Sequence, residues 1–442
     1  MALIRKLQNL GTRLLLSDST RDRRRSFARR RRRLAGRQRC VEYFHQVEDP
    51  YAHLACQVLG EFRKRYEIDL QIHLVGEPTE AAAPDLERLV SYARMDAAAI
   101  APALGLTFTD PGKQPGAENS RRAGEILAAN LAADKFCEIA PRVGDALWRD
   151  DTDGILDLAN EFATASEEEM IADRESGSAR RAKLGHYNSA TFYFEGEWYW
   201  GIDRLHYLEE RLCEDGARRD AARDPIIAPR EISDETIEGE NTGIVLEYFP
   251  SLRSPYSAIS TGRTFQLAEQ LPVELVLKPV LPMVMRGLQV PMPKRLYIIR
   301  DTKREATRLG LDFGDTFDPV GEPVERAFSL YPFAREKGRA KELLASFLTN
   351  SFAGGVDTGT DDGLRRVVTD AGLSWQEALP HLNDPKWREE LEQNREEMLQ
   401  AGIWGVPSYR VRSPGEADFA IWGQDRLWLV EDEIRRRLNR PR

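Results

Sequence analysis

Four cysteines in 442 residues, Cys40, Cys56, Cys137 and Cys213, stand far apart and form no CxxC pair. Their spacing excludes a dithiol redox centre and a zinc knuckle, and it suits a reducing compartment, so we expect a cytoplasmic protein. Apolar runs are also short: none approaches the roughly 20 residues a membrane span requires. The leucines between Met1 and Ser17 are broken by charges, which argues against a secretory signal. Net positive charge is lacking too, with 63 Lys and Arg against 72 Asp and Glu, a balance that argues against general nucleic-acid binding. Length, by contrast, is ample: 442 residues make two or three domains with cores that need no disulfide staples.

The charge is unevenly distributed. Residues 1–39 hold 14 lysines and arginines against Asp18 and Asp22, including Arg23-Arg-Arg25 and Arg29 to Arg33. Such an arm reads as a solvated, partly disordered extension, or as a helix lying weakly on an anionic membrane surface.

The rest of the chain is organised around a stretch that occurs twice. Leu246-Glu-Tyr-Phe-Pro-Ser-Leu-Arg-Ser-Pro-Tyr runs from an apolar strand through a turn to Ser254-Pro255. Ser is a preferred N-cap and Pro is favoured at the first helical position, so a strand here hands over to a helix. Glu42, Tyr43, Phe44, Pro50 and Tyr51 repeat the pattern 205 residues earlier, with Asp49 in the place of Ser254. The offset continues into Ile68–His73 over Val273–Lys278, and Trp200-Gly-Ile-Asp-Arg-Leu205 recurs as Trp422-Gly-Gln-Asp-Arg-Leu427. A period this long means tandem domains rather than a solenoid. Each copy reads strand, helix, strand, a long helical stretch, a hairpin and a closing helix. The boundaries expected are a basic arm at 1–39, a first domain at 40–213, a charged linker at 214–242 and a second domain at 243–442.

That element order resembles a thioredoxin fold with an inserted helical domain, as in the DsbA-like proteins. The second half is similar to the branch of 2-hydroxychromene-2-carboxylate isomerases and kappa-class glutathione transferases. Its Ser254-Pro-Tyr-Ser257, Lys278-Pro-Val280, Lys294-Arg-Leu-Tyr297 with Asp301, Gly405-Val-Pro407 and Trp422-Gly-Gln-Asp-Arg426 carry the resemblance in order. The fold class implied is α/β, two tandem thioredoxin-like domains each with a helical insertion. The cofactor implied is glutathione, its thiolate held by Ser254 at the helix start, its peptide part by the backbone of Val406 and a cis Pro407, and its γ-glutamyl end near Gln424 and Asp425. Asp425 as an N-cap is an equal alternative. For a small, conjugated, carboxylated substrate, Lys278, Arg286 and Lys294 are the candidates to supply positive charge, Arg286 first because it lies just past the second strand; a solvated surface charge is the alternative. The activity implied is isomerase or transferase; a CxxC oxidoreductase is excluded because neither helix start carries a cysteine. The competing reading is a non-catalytic scaffold that reaches a membrane surface through its arm.

The first copy departs from this pattern. A carboxylate at Asp49 repels a thiolate, and Ala190 stands opposite Pro407. His45, Asp49 and His186, with His53, form a candidate metal or acid–base site; a capping Asp49 among packed histidines is the plainer alternative. The first domain then replaces the second subunit of a dimer in a monomeric chain, or the protein is a homodimer.

Overall fold

Asp49 and Ser254 both sit where a buried strand ends and a helix begins. The computed structural model describes residues 2–220, 224–240 and 243–439, with side chains from residue 9 onward. Before the first sheet come helices α1 (Ala2–Leu16) and α2 (Asp18–Leu34). Then follow β1 (Cys40–His45), α3 (Pro50–Arg65), β2 (Asp69–Leu74), an insertion of α4 (Leu86–Ile100), α5 (Ala117–Ala128), α6 (Ala133–Trp148), α7 (Thr152–Glu161) and α8 (Glu167–Leu184), the hairpin β3 (Thr191–Phe194) and β4 (Glu197–Trp200), and α9 (Leu205–Glu214). The second round runs β5 (Val245–Phe249), α10 (Pro255–Gln270), β6 (Glu274–Leu277) and α11 (Met292–Arg308). Its insertion continues with α12 (Glu322–Ser329), α13 (Tyr331–Glu336), α14 (Ala340–Phe352), α15 (Asp361–Asp370), α16 (Trp375–Ala378) and α17 (Trp387–Gln400), and closes with β7 (Ser408–Arg412), β8 (Phe419–Trp422) and α18 (Leu427–Leu438).

Two four-stranded sheets result, ordered β2-β1-β3-β4 and β6-β5-β7-β8. In each, the first strand is parallel to the second and antiparallel to the third. A parallel pair needs a helical crossover, supplied by α3 and α10, whereas the hairpins need only a tight turn. This is the thioredoxin order with a helical insertion, made twice, as the sequence predicts.

The chain divides into two compact units. One holds Arg23–Pro229 with Pro291–Tyr297; the other holds Met1–Asp22, Arg230–Val290 and Ile298–Arg442. We call them the first and second units. The core of the second gathers α12 to α17 around Phe328, Phe347 and Trp387, and Leu16 of α1 belongs to it. In the first, Phe44, Val75, Trp198 and Tyr297 pack together. Gly177 on α8 lets that helix lie against β2, since a Cβ there would overlap the Leu74 carbonyl oxygen.

The two sheets also share a buried charge. Glu42 accepts from Arg180 at 2.7 Å and meets His73 at 3.0 Å; Glu247 pairs with Arg410 and with Arg412 at 3.0 Å.

The basic arm is not a solvated extension. Asn9 donates to Asp315 and to the Thr316 carbonyl at 3.0 Å each, tying α1 to the second unit. In the first unit, Arg25 grips Glu197 with two nitrogens at 2.8 and 2.9 Å, Arg29 meets Asp215 at 2.6 Å, and Arg32 is buried between Glu195 and Asp215. Positions 25, 29 and 32 share one helix face, so the acidic hairpin and the end of α9 neutralise that face alone.

Candidate functional site

In the second unit, Ser254 is the N-cap of α10, and its hydroxyl accepts from the Ser257 N–H at 3.1 Å. Pro255 at the first helical position costs no hydrogen bond there. The same hydroxyl donates to the Val406 carbonyl oxygen at 3.4 Å, and the Val406–Pro407 peptide is cis. The helix start and the cis-proline loop therefore meet at Ser254. The positive end of the α10 dipole favours an anion at this place, and the long bond to Val406 is easily exchanged for a stronger acceptor.

Two further contacts hold the frame. Tyr256 donates to Asp301 at 2.8 Å, anchoring the first turn of α10 to α11. Gly405 lies against Trp422 so closely that a Cβ would fall within the indole, and the Trp404 ring lies tilted against Trp422 with centroids 5.3 Å apart. The Trp404 indole N–H is buried with no hydrogen-bond partner among the described residues. Sequence reasoning passed over this donor, although it stands two residues before Val406.

The remaining expected residues divide. Gln424 is buried and spent internally: its amide donates to Glu305 at 2.7 Å and accepts from Arg263 at 3.2 Å. One amide N–H and one oxygen lone pair are thereby engaged within the unit. Asp425 does not cap α18, whose N-cap is Arg426; its carboxylate folds over Gly423, where a Cβ would stand 2.6 Å from it. Lys278 is paired with Glu397 at 2.6 Å. Lys294 groups with the first unit, where its ammonium donates to the Ala82 carbonyl at 2.8 Å and burial lowers its pKa to about 8. Its ammonium is thus engaged within the first unit. Arg286 closes a short turn after β6; its Nε is buried without a partner, and burial, then the neighbouring Arg395, lower its pKa against the opposing pull of Glu392.

The first unit repeats the frame and changes the site. Tyr51 donates to Asp96 at 2.7 Å, as Tyr256 does to Asp301. The Gly201 N–H donates to the Ala190 carbonyl at 2.7 Å, as Gly423 does to Pro407 at 2.9 Å. Ala190, however, has φ of 55°, a backbone that proline's ring cannot adopt. Asp49 caps α3 by accepting from the Tyr51 N–H at 2.9 Å, and its other oxygen accepts from the Ser189 hydroxyl at 2.6 Å. Burial raises this carboxyl to about 6 although both hydrogen bonds oppose the shift.

The histidines do not join Asp49 in one cluster. His45 lies beside Tyr43 and Phe136, and burial followed by the influence of His53 lowers it to about 3. His53 sits against Gly144, lowered to about 4 by burial. His186 is boxed by Tyr187, Trp198 and Tyr297, and burial with Arg181 lowers it to about 3. All three are neutral packed rings near neutral pH. Among the described residues no three His, Cys, Asp or Glu side chains are placed to share a metal ion, so the metal reading of this cluster is withdrawn. Arg181, which the sequence did not single out, is buried, acts electrostatically on both Asp49 and His186, and leaves Nη1 without a partner.

Residues 245–435 match the family model of the DSBA-like thioredoxin domain. No curated protein matches the chain in sequence. Among solved structures, a 2-hydroxychromene-2-carboxylate isomerase is 17% identical, with 44% of this chain and 96% of that one covered and a TM-score of 0.37. The cytosolic disulfide reductase DsbM from Pseudomonas aeruginosa is 18% identical over 44% of this chain and 99% of its own, with a TM-score of 0.36. A second structure of DsbM, with GSH, is 16% identical over 44% and 96%, with a TM-score of 0.32.

Proposed function

We propose that the second unit binds glutathione and uses it in isomerisation or transfer on a small, conjugated, carboxylated substrate. The observation that carries this reading is the meeting of the Ser254 hydroxyl, at the start of α10, with the cis Val406–Pro407 loop. When bound, glutathione supplies a thiolate nucleophile. Ser254 turns its hydrogen from Val406 to that sulfur, and the first turn of α10 favours the anionic form. The cis-proline loop offers backbone groups to the peptide part. Arg286, desolvated and with Nε unpartnered, gains a counter-charge from a substrate carboxylate. Trp404 supplies a buried N–H for an oxygen that gains charge during reaction. A cytoplasmic location belongs to the same proposal, because all four cysteines are free and glutathione must be at hand in reduced form.

A non-catalytic thioredoxin-fold scaffold is the second reading. It is favoured by Gln424, whose amide is engaged inside the domain by Glu305 and Arg263. Calorimetry with glutathione on the wild type and on Ser254→Ala separates the two. Saturable binding that weakens in a folded Ser254→Ala variant is expected, with the lost cap costing about 0.5–2 kcal/mol of stability. No heat at millimolar glutathione would sink the enzyme reading and leave the scaffold.

A further inference from the structure

Helix α2 has two arginine faces with different fates. Arg25, Arg29 and Arg32 turn inward and are answered by Glu197, Asp215 and Glu195. At 100° per residue the opposite face is centred on Phe27 and Leu34, one heptad apart, and flanked by Arg24, Arg30 and Arg31. Phe27 is 70% and Leu34 90% exposed. Arg24, Arg30 and Arg31 are exposed and make no ion pair among the described residues. Three cations and two large apolar side chains thus share one uncovered surface on a rigidly held helix.

We propose that this face of α2 docks the protein on an anionic lipid surface. Each part has its counterpart there. The guanidinium groups meet lipid phosphates and carboxylates, while Phe27 and Leu34 enter the boundary between headgroups and acyl chains. A nucleic-acid backbone would meet the arginines equally well but offers the two apolar side chains little cover, which is why lipid is the better fit. Long-range attraction must come from this helix, because the rest of the chain is acidic. The inward arginines fix the orientation: paired with the hairpin and with Asp215, they keep the outward face outward. The proposal is independent of any glutathione chemistry.

Co-sedimentation of the full chain with vesicles tests it, using phosphatidylcholine alone or phosphatidylcholine with phosphatidylserine. Binding to the anionic vesicles only, and its weakening as salt is added, is expected. Arg24→Ser/Arg30→Ser/Arg31→Ser should lower the affinity roughly tenfold or more. Phe27→Ser/Leu34→Ser should lower it too while keeping the salt dependence of what remains. All five side chains are exposed and the three arginines form no ion pair among the described residues, so both variants should melt close to the wild type. Failure of the wild-type chain to bind anionic vesicles overturns the proposal without recourse to any variant. So does equal binding to both vesicle types, or binding that the arginine variant retains in full. Capture of duplex DNA at a salt concentration where anionic vesicles are ignored would overturn it in favour of a nucleic-acid contact.

Discussion

Replacing Asp49 by Asn should change how stability depends on pH, with a sign fixed by the site. Burial holds the Asp49 carboxyl at about 6, against 3.8 for an ordinary aspartate. Below about pH 4 the folded and unfolded chains both hold this proton and nothing is at stake. Between about pH 4 and 6 the folded chain keeps a proton that the unfolded chain has released, so this group makes stability fall as pH rises, and the loss is complete above about 6. Two units at ~1.4 kcal/mol each set a ceiling of about 3 kcal/mol, reduced to the extent that water reaches a half-buried carboxyl.

The wild-type curve alone will not reveal this, because the buried histidines pull the other way. His45 and His186 at about 3 and His53 at about 4 refuse protons that the unfolded chain accepts up to about 6.5. They make stability rise with pH across an overlapping window. The informative quantity is the difference between Asp49→Asn and wild type, in which the histidines cancel. Asn caps a helix as well as Asp and keeps the volume. Urea unfolding of both proteins in half-unit steps from about pH 4 to 7 should show the variant gaining on the wild type by up to about 3 kcal/mol. A difference that stays flat would mean that Asp49 is charged at its ordinary pKa in the folded chain. A difference moving the other way would mean that the helix start and Ser189 outweigh burial.

Two substitutions in the second unit test the frame around Ser254. Gly405→Ala should destabilise by about 1–3 kcal/mol or more in thermal melts, since the added methyl must displace Trp422; an unchanged melt would show that the loop does not pack on the indole. Tyr256→Phe should cost about 1–3 kcal/mol, because Asp301 is 1% exposed and loses a donor. A neutral result in denaturant unfolding would refute that bond.

What the sequence made legible was local or periodic. The caps at Asp49 and Ser254 and the strand–helix–strand order each rest on residues within a turn or two of one another, and the offset of 205 carried them from one copy to the other. The misses are long-range pairings. The partners of Arg25 and Arg32 stand 172 and 163 residues away, and nothing near those arginines distinguishes them from Arg24 or Arg31 except helical phase. Gln424 lies in a motif that repeats, but Glu305 and Arg263, which consume its amide, come from two other helices. Lys294 belongs to a helix of the second round by sequence, yet its ammonium donates to the Ala82 carbonyl, 212 residues away.

The comparison of the two copies separates frame from site. The Tyr–Asp bridge, the glycine N–H to carbonyl bond after the hairpin and the buried strand glutamate are present in both. These contacts hold a helix start beside a loop and do not depend on what the loop binds. The differences fall at the positions that would touch a thiol: Asp49 for Ser254, Ser189 for Val406, Ala190 for Pro407. In the first copy the two changed side chains satisfy each other, Ser189 donating to Asp49 at 2.6 Å, so the anion that the helix start favours is supplied by the protein itself. In the second, Ser254 caps the helix through the Ser257 N–H and donates across 3.4 Å to a backbone carbonyl, and no side-chain carboxylate takes the place that Asp49 fills in the first. The same frame therefore places the protein's own carboxylate at the helix start in the first copy and a hydroxyl in the second, and the proposed glutathione chemistry concerns the second copy alone.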